Sequence, residues 1–310
     1  MRDTFVKTLI EIAKQDKDVV LLTGDLGYGV LQPFWEQFPE QFVNVGIAEQ
    51  NMLGVAAGLA LNGKKPYVYS IGNFPTLRAI EFIRNDVCYH NANVKIVCVG
   101  GGFAYGSAGM SHHATEDIAI MRALPNMIVA TPSDPLEVET ITKETYNIQF
   151  PCYIRLGKGG EKQLHKEINN YSFGKAIKIQ EGKDIAIFSC GAITEEAIEL
   201  CEMLRKDNIR PTLYSFPTVK PIDNELIENI VSTHKTILTL EEHNIVGGFG
   251  SAVAEVMAEM EEKKAKLIRL GLNDVFTSIV GTQKYLRDKY NISAQKIYER
   301  IMNIVGIDKK

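Results

Sequence analysis

Phe42-Val-Asn-Val-Gly-Ile-Ala-Glu49-Gln-Asn-Met-Leu-Gly-Val-Ala-Ala-Gly-Leu-Ala-Leu61 places one acid inside a largely apolar run. Phe42, Val43 and Val45 read as a short strand, Gly46 as the turn, and the small-residue run after Ala48 as a helix able to lie close to other backbone. Glu49 falls in the first turn of that helix. Two readings are open there. An exposed carboxylate at a helix start gains from the helix dipole, whereas one taken out of water favours its neutral form and becomes a proton carrier.

Outward from this stretch the chain alternates helices and strands. Thr4 to Lys14 is helical by spacing, Val19 to Thr23 a strand, Pro66 to Ser70 a strand, Thr76 to Tyr89 a helix and Val94 to Val99 a strand. After a long loop come a helix at Glu116 to Arg122, a strand at Met127 to Thr131, a helix beginning near Asp134 and a strand at Cys152 to Leu156. Such alternation predicts an α/β fold, a mainly parallel sheet covered by helices on both faces. The loops after Thr23, Val45, Ser70 and Val99 then converge on one crevice at the carboxyl ends of the strands.

Gly157 to Tyr171 is polar, with adjacent glycines and several lysines, and reads as a boundary. A second α/β unit follows. Its strands are read at Ile185 to Phe188, Pro211 to Ser215 and Thr236 to Leu240, and its helices at Thr194 to Lys206, Asn224 to Ser232 and Gly247 to Glu261. The expected division is residues 1–160, a linker at 161–171 and a second domain at 172–310. With 310 residues the chain is long enough for two cores, since single ones stop growing near roughly 250 to 300 residues.

Composition narrows the class. Hydrophobic residues make up 45% and charged ones 23%, as in globular proteins. No apolar run approaches the roughly 20 residues that span a bilayer, and Arg2, Asp3, Lys7 and Glu11 give the N-terminus the character of an amphipathic helix rather than a signal peptide. A cytoplasmic location is expected. Cys88, Cys98, Cys152, Cys190 and Cys201 are scattered without a C-x-x-C pair, which signals neither zinc nor disulfides. A net charge of −4 argues against an electrostatic nucleic-acid surface.

The loop Gly100 to His113 is rich in glycine and ends in His112 and His113. It lacks the Lys-Ser/Thr ending of a phosphate-binding loop and does not fit a dinucleotide fingerprint. Histidines on a crevice loop can position and protonate a substrate oxygen, and a metal site there is not expected. His90 and His234 read as structural or solvated. Gly24-Asp25-Leu26-Gly27, with Asn51 beyond it, looks superficially like the Gly-Asp-Gly…Asn pattern that holds magnesium diphosphate in thiamine enzymes, but Leu26 breaks it and the pattern is a decoy. Asp25 still lies on a crevice loop. Arg155 and Lys158 end a strand as two cations, suited to a substrate anion or to a solvated strand end.

Taken together, Val-Gly-Ile-Ala-Glu49-Gln, Arg78-Ala79 with Glu81, Ser-His112-His113 with Glu116-Asp117, Tyr-Ile-Arg155 and Glu-Glu-His243…Gly-Gly-Phe-Gly-Ser resemble the C-terminal half of the transketolase family, which includes 1-deoxy-D-xylulose 5-phosphate synthase. The resemblance spans nearly the whole chain. It implies a pyrimidine-binding domain followed by a transketolase C-terminal domain, and thiamine diphosphate as cofactor. It implies that Glu49 hydrogen-bonds N1′ of the aminopyrimidine and helps it take the proton from thiazolium C2. Asp25 and Arg78 become further cofactor-binding candidates, and Phe74 the ring stacked on the pyrimidine or, alternatively, a core ring at a helix entry. His112 matches the histidine near the donor's C1 and C2 oxygens, with His113, Arg155 and Lys158 as further substrate-binding candidates. Three departures stand out: Gly100 replaces a phosphate-contacting histidine, Ala108 an acid that reads hydroxyls, and Asn51 a histidine of the synthase. They suit a specialised acceptor, such as a modified or nucleotide-linked sugar.

The half of the family that grips diphosphate and Mg²⁺ has no counterpart here. The expectation is a split enzyme in which this chain pairs with a separate pyrophosphate-binding subunit, as α2β2, with the Mg²⁺ ligands on that partner and self-association of this chain. The expected reaction is transfer of a two-carbon ketol unit from a ketose to an aldehyde. A decarboxylating synthase, the β subunit of a 2-oxo acid dehydrogenase and a non-catalytic partner subunit are the alternatives.

Overall fold

The computed structural model describes residues 1–261 and 265–305; the last expected residues of the second domain, 306–310, lie outside them. Among the described residues, twelve strands form two sheets. The first contains β1 (Val19–Thr23), β2 (Phe42–Asn44), β3 (Lys65–Ile71), β4 (Lys95–Val99), β5 (Ile128–Ala130), β6 (Cys152–Leu156) and β10 (Thr218–Lys220), in the order β10-β5-β6-β4-β3-β1-β2. The second contains β7 (Ile177–Gln180), β8 (Ile185–Ser189), β9 (Pro211–Ser215), β11 (Thr236–Asn244) and β12 (Lys266–Leu272), in the order β12-β11-β8-β9-β7. Both sheets are parallel except at one edge, where β10 runs against β5 and β7 against β9. The two-sheet α/β reading is the architecture observed.

Strand alternation explains the layering. Val19 and Leu21 of β1 join a core with Phe5 and Leu9 of the Arg2–Ala13 helix and Val138 and Ile141 of the Pro135–Asn147 helix. Their neighbours Val20 and Leu22 face the other side, with Met52 and Leu53 of the Glu49–Leu61 helix and Ile83 and Val87. Successive strand residues point to opposite faces, and both faces are covered, so the strand is apolar throughout. The second core runs on without a break into Phe188, Phe216 and Phe249 of the second sheet's side, so the two sheets share packing. Strand β10 strengthens this join, because a segment that follows β9 closes the edge of the first sheet beside β5.

Several elements differ from the sequence reading. The helix expected at Thr76 to Tyr89 is wound wide: Phe74–Arg78 and Ile83–Cys88 are π-helical, flanking a short α turn at Ile80–Phe82. Pro75, with no N–H to donate, sits at its start, and such wide turns recur at functional sites. Strands β7, β10 and β12 and the helices Gln32–Gln37, Gln283–Lys289 and Ala294–Val305 have no counterpart in that reading. Strand β10 is three residues long, too short to show a period. No described helix is long and apolar enough to cross a membrane.

Candidate active site

Gly46 turns the chain after β2 with φ +74° and delivers Glu49 to the first turn of its helix. The side chain of Asn44 stitches this turn to the loop after β1, its Oδ1 accepting from the backbone N–H of both Asp25 and Gly46 at 3.0 Å. Asp25 itself is exposed, left-handed at φ 56°, and accepts from the Tyr28 hydroxyl, a bond that holds its carboxyl below the usual range. A cavity of about 350 Å³ opens beside this loop between Thr23, Leu26, Trp35 and Phe42; Glu49 does not line it.

Glu49 is only 3% exposed, so it is a buried first-turn acid rather than an exposed one. Both its oxygens face Arg78 Nη1, at 3.1 and 3.3 Å. Arg78 is half-exposed and lies over the Phe74 ring, its guanidinium carbon 4.7 Å from the centroid. Phe74 in turn meets His112 edge-on at 5.2 Å between centroids. His112 Nδ1 pairs with Ser111 Oγ at 3.0 Å, which leaves Nε2 without a protein partner among the described residues. Tyr105 lies 6.3 Å beyond His112, and Lys158 Nζ sits 4.9 Å over the Tyr105 ring. The loops after β2, β3, β4 and β6 thus lay Glu49, Arg78, Phe74, His112 and Lys158 along one continuous line of contacts.

Two candidates point elsewhere. Arg155, expected beside Lys158 at a substrate anion, faces the interior: Nε donates to Asp117 at 2.7 Å, and Nη2 to the carbonyls of Ala114 at 2.7 Å and Glu242 at 3.0 Å. Inward is dictated by strand parity, since Arg155 lies between Ile154 and Leu156, both of which face the opposite core. His113, expected with His112, is buried, with Nδ1 2.6 Å from Thr277 Oγ1 and Nε2 3.2 Å from the Gly106 carbonyl. Burial pulls its imidazole below the ordinary range and keeps it neutral.

The sequence reading passes over Asn73, Ser111 and Tyr105. Asn73 is buried and donates to the carbonyls of Ser111 at 3.3 Å and His113 at 2.7 Å, which ties the histidine loop to the Phe74 segment. Its only sequence signal is a polar residue directly after a strand-ending glycine. Asp134, Glu137 and His165 form a buried group whose ligand atoms lie within 4.8 Å of one another. Their oxygens already accept from Glu137, Leu164, His165 and Ser133 backbone N–H groups, and His165 Nε2 is 2.6 Å from Glu137. This group clamps the interdomain segment to the first domain.

Comparison with known proteins supplies the family. Residues 1–160 match the transketolase pyrimidine binding domain, and residues 174–297 the transketolase C-terminal domain. The chain belongs to the transketolase family. It is 38% identical, over 97% of its length and 95% of the relative's, to a putative transketolase C-terminal section of Methanocaldococcus jannaschii. It is 33% identical, over 98% of each, to one subunit of an apulose-4-phosphate transketolase of Actinobacillus succinogenes. A solved structure described as a split gene transketolase, inactive beta4 tetramer, superposes with a TM-score of 0.90 at 36% identity, over 99% of each chain. The chain is therefore a transketolase-type subunit, of the same extent as relatives that are themselves sections or subunits.

Proposed function

We propose that this chain is the pyrimidine-side subunit of a thiamine-diphosphate-dependent transketolase, moving a two-carbon ketol unit from a ketose to an aldehyde, and that a separate pyrophosphate-binding subunit completes the site as α2β2 and brings the Mg²⁺ ligands. The carrying observation is the buried carboxylate of Glu49 joined through Arg78 to the half-buried ring of Phe74. This pair fits an aminopyrimidine, which needs a carboxyl at its ring nitrogen and an apolar face to lie on. Bound there, thiamine diphosphate would supply the carbon nucleophile that attacks the donor carbonyl and carries the two-carbon unit.

The roles of the side chains follow from their surroundings. Glu49 would hold and exchange a proton at N1′, a task suited to an acid that water does not reach. Phe74 would fix the plane of the ring, and Arg78, now on Glu49, would have to share or yield that carboxylate. His112, open at Nε2, would donate to the donor's oxygen near C1 and C2. Lys158 would meet an anionic end of the substrate. Asp25, on the loop that Asn44 ties to the Glu49 turn, would line the cofactor side.

Relatives named as a C-terminal section and as one subunit of a transketolase, together with a solved beta4 assembly described as inactive, support the need for a partner. The test is reconstitution. The purified chain with thiamine diphosphate and Mg²⁺ is expected to transfer no ketol unit from a ketose donor, and mixing with a pyrophosphate-binding transketolase subunit of the same source to restore transfer. Turnover by the chain alone would overturn the split-site reading.

A further inference from the structure

Gly100 closes β4 with φ +92°, and a Cβ built on it would lie 2.2 Å from ring carbons of Tyr105. The Tyr105 ring therefore occupies the space that a side chain at position 100 would need. The next position behaves alike, since a Cβ on Gly101 would lie 2.7 Å from the Arg155 guanidinium carbon. Two glycines at the strand end thus make room for one ring and one cation delivered from other segments. Arg155 is used up internally. Tyr105 is half-buried, and its ring stands between the two groups that face the crevice, 6.3 Å from the His112 ring and 4.9 Å from Lys158 Nζ.

The ring, not the hydroxyl, is what Tyr105 contributes. Among the described residues the hydroxyl makes no hydrogen bond; burial pushes its pKa up, with Arg2 pulling weakly the other way, so it stays neutral. Lys158 is exposed and makes no ion pair among the described residues. An ammonium on a flexible four-carbon stem has no fixed place of its own, and the face of an aromatic ring gives it one.

We propose that Tyr105 is a specificity-determining residue: its ring anchors the Lys158 ammonium at a set reach from His112, so that the site selects substrates with an anionic group at the end remote from the reacting carbonyl. The proposal rests on the ketol-transfer reading. Its chemistry is that of a terminal phosphate or sulfonate on a sugar chain, and the Tyr105 ring stands between the two polar groups.

The test uses the reconstituted pair and compares a phosphorylated ketose with its unphosphorylated counterpart. Tyr105→Leu is expected to raise KM for the phosphorylated donor about fivefold, the range of a surface cation–π contact, with kcat within about twofold and the unphosphorylated KM unmoved. Tyr105→Phe, which keeps the ring, is expected to match the parent. Equal KM changes for both donors in Tyr105→Leu, or a change in Tyr105→Phe as large, would overturn the proposal. Calorimetric titration of the isolated chain with inorganic phosphate needs no turnover, so it separates failure of this inference from failure of the functional reading. The parent and Tyr105→Phe should bind alike and Tyr105→Leu about fivefold more weakly; equal binding by the parent and Tyr105→Leu would overturn it.

Discussion

The crevice and the domain junction use the same residue types to opposite ends. At the junction the cations sit on carboxylates: Arg155 is spent on Asp117 and two carbonyls, and Arg287 pairs with Glu242 at 2.8 Å and with Glu196 at 3.4 Å, although Asp117 Oδ1 and Arg287 Nε have no hydrogen-bond partner among the described residues. Glu241 caps the Phe249–Glu259 helix by accepting from Phe249 and Gly250, and burial pushes its carboxyl up to about 7. In the crevice the partners are incomplete. Glu49 has one half-exposed arginine, His112 has a free nitrogen and Lys158 has only a ring among the described residues. Buried ions that are each paired with an opposite charge hold a structure together, whereas groups at a crevice left with spare hydrogen-bonding capacity are set up for a ligand.

Arg155 and Lys158 put that contrast three residues apart on one strand end. Arg155→Ala strands Asp117 without its cation in the interior, and loss of a buried partner costs about 3–5 kcal/mol. The melting temperature should fall by roughly 10 °C. Lys158→Ala should leave melting within about 1 °C yet raise KM for an anionic donor about tenfold, in line with a lost charged hydrogen bond. Matching stability losses in the two variants would erase the distinction.

The interdomain clamp gives the smallest effect. At His165, burial acts to lower the pKa, but the hydrogen bond and charge of Glu137 outweigh it, and the imidazole ends above its ordinary value. The protonated form is favoured in the folded chain, so this contribution is full below the unfolded value of about 6.5 and fades as pH rises through the folded one. The melting difference between the parent and His165→Gln should therefore be larger at acidic than at alkaline pH. A difference that grew with pH would contradict the clamp.

How much of this the sequence could say depended on whether the signal was local. Strands β1 and β6 and the helix at Thr194–Lys206 were legible to the residue, because continuous apolar runs and helical spacing are local patterns. Glu49 stood out for the same reason, one acid in an apolar run. Strand β10 could not be read, since its pairing partner β5 lies far back in the chain and only the closed sheet edge gives it meaning. Strand parity sets which face Arg155 takes, but that this face is closed over it depended on Asp117 across the core, and the role proposed for Tyr105 on the missing side chain of Gly100. Sequence motifs named both cations as candidates; only three-dimensional pairing separated Arg155, which is spent inside, from Lys158, which is exposed.

Glu49→Gln in the reconstituted pair, at saturating thiamine diphosphate, tests whether this buried acid carries the proton at the site. The swap keeps shape and burial and removes the exchangeable charge. kcat is expected to fall by about 10²–10⁴-fold, the range for a lost general acid–base, while melting stays within a few degrees of the parent's. Near-parental kcat in a folded Glu49→Gln pair would contradict it.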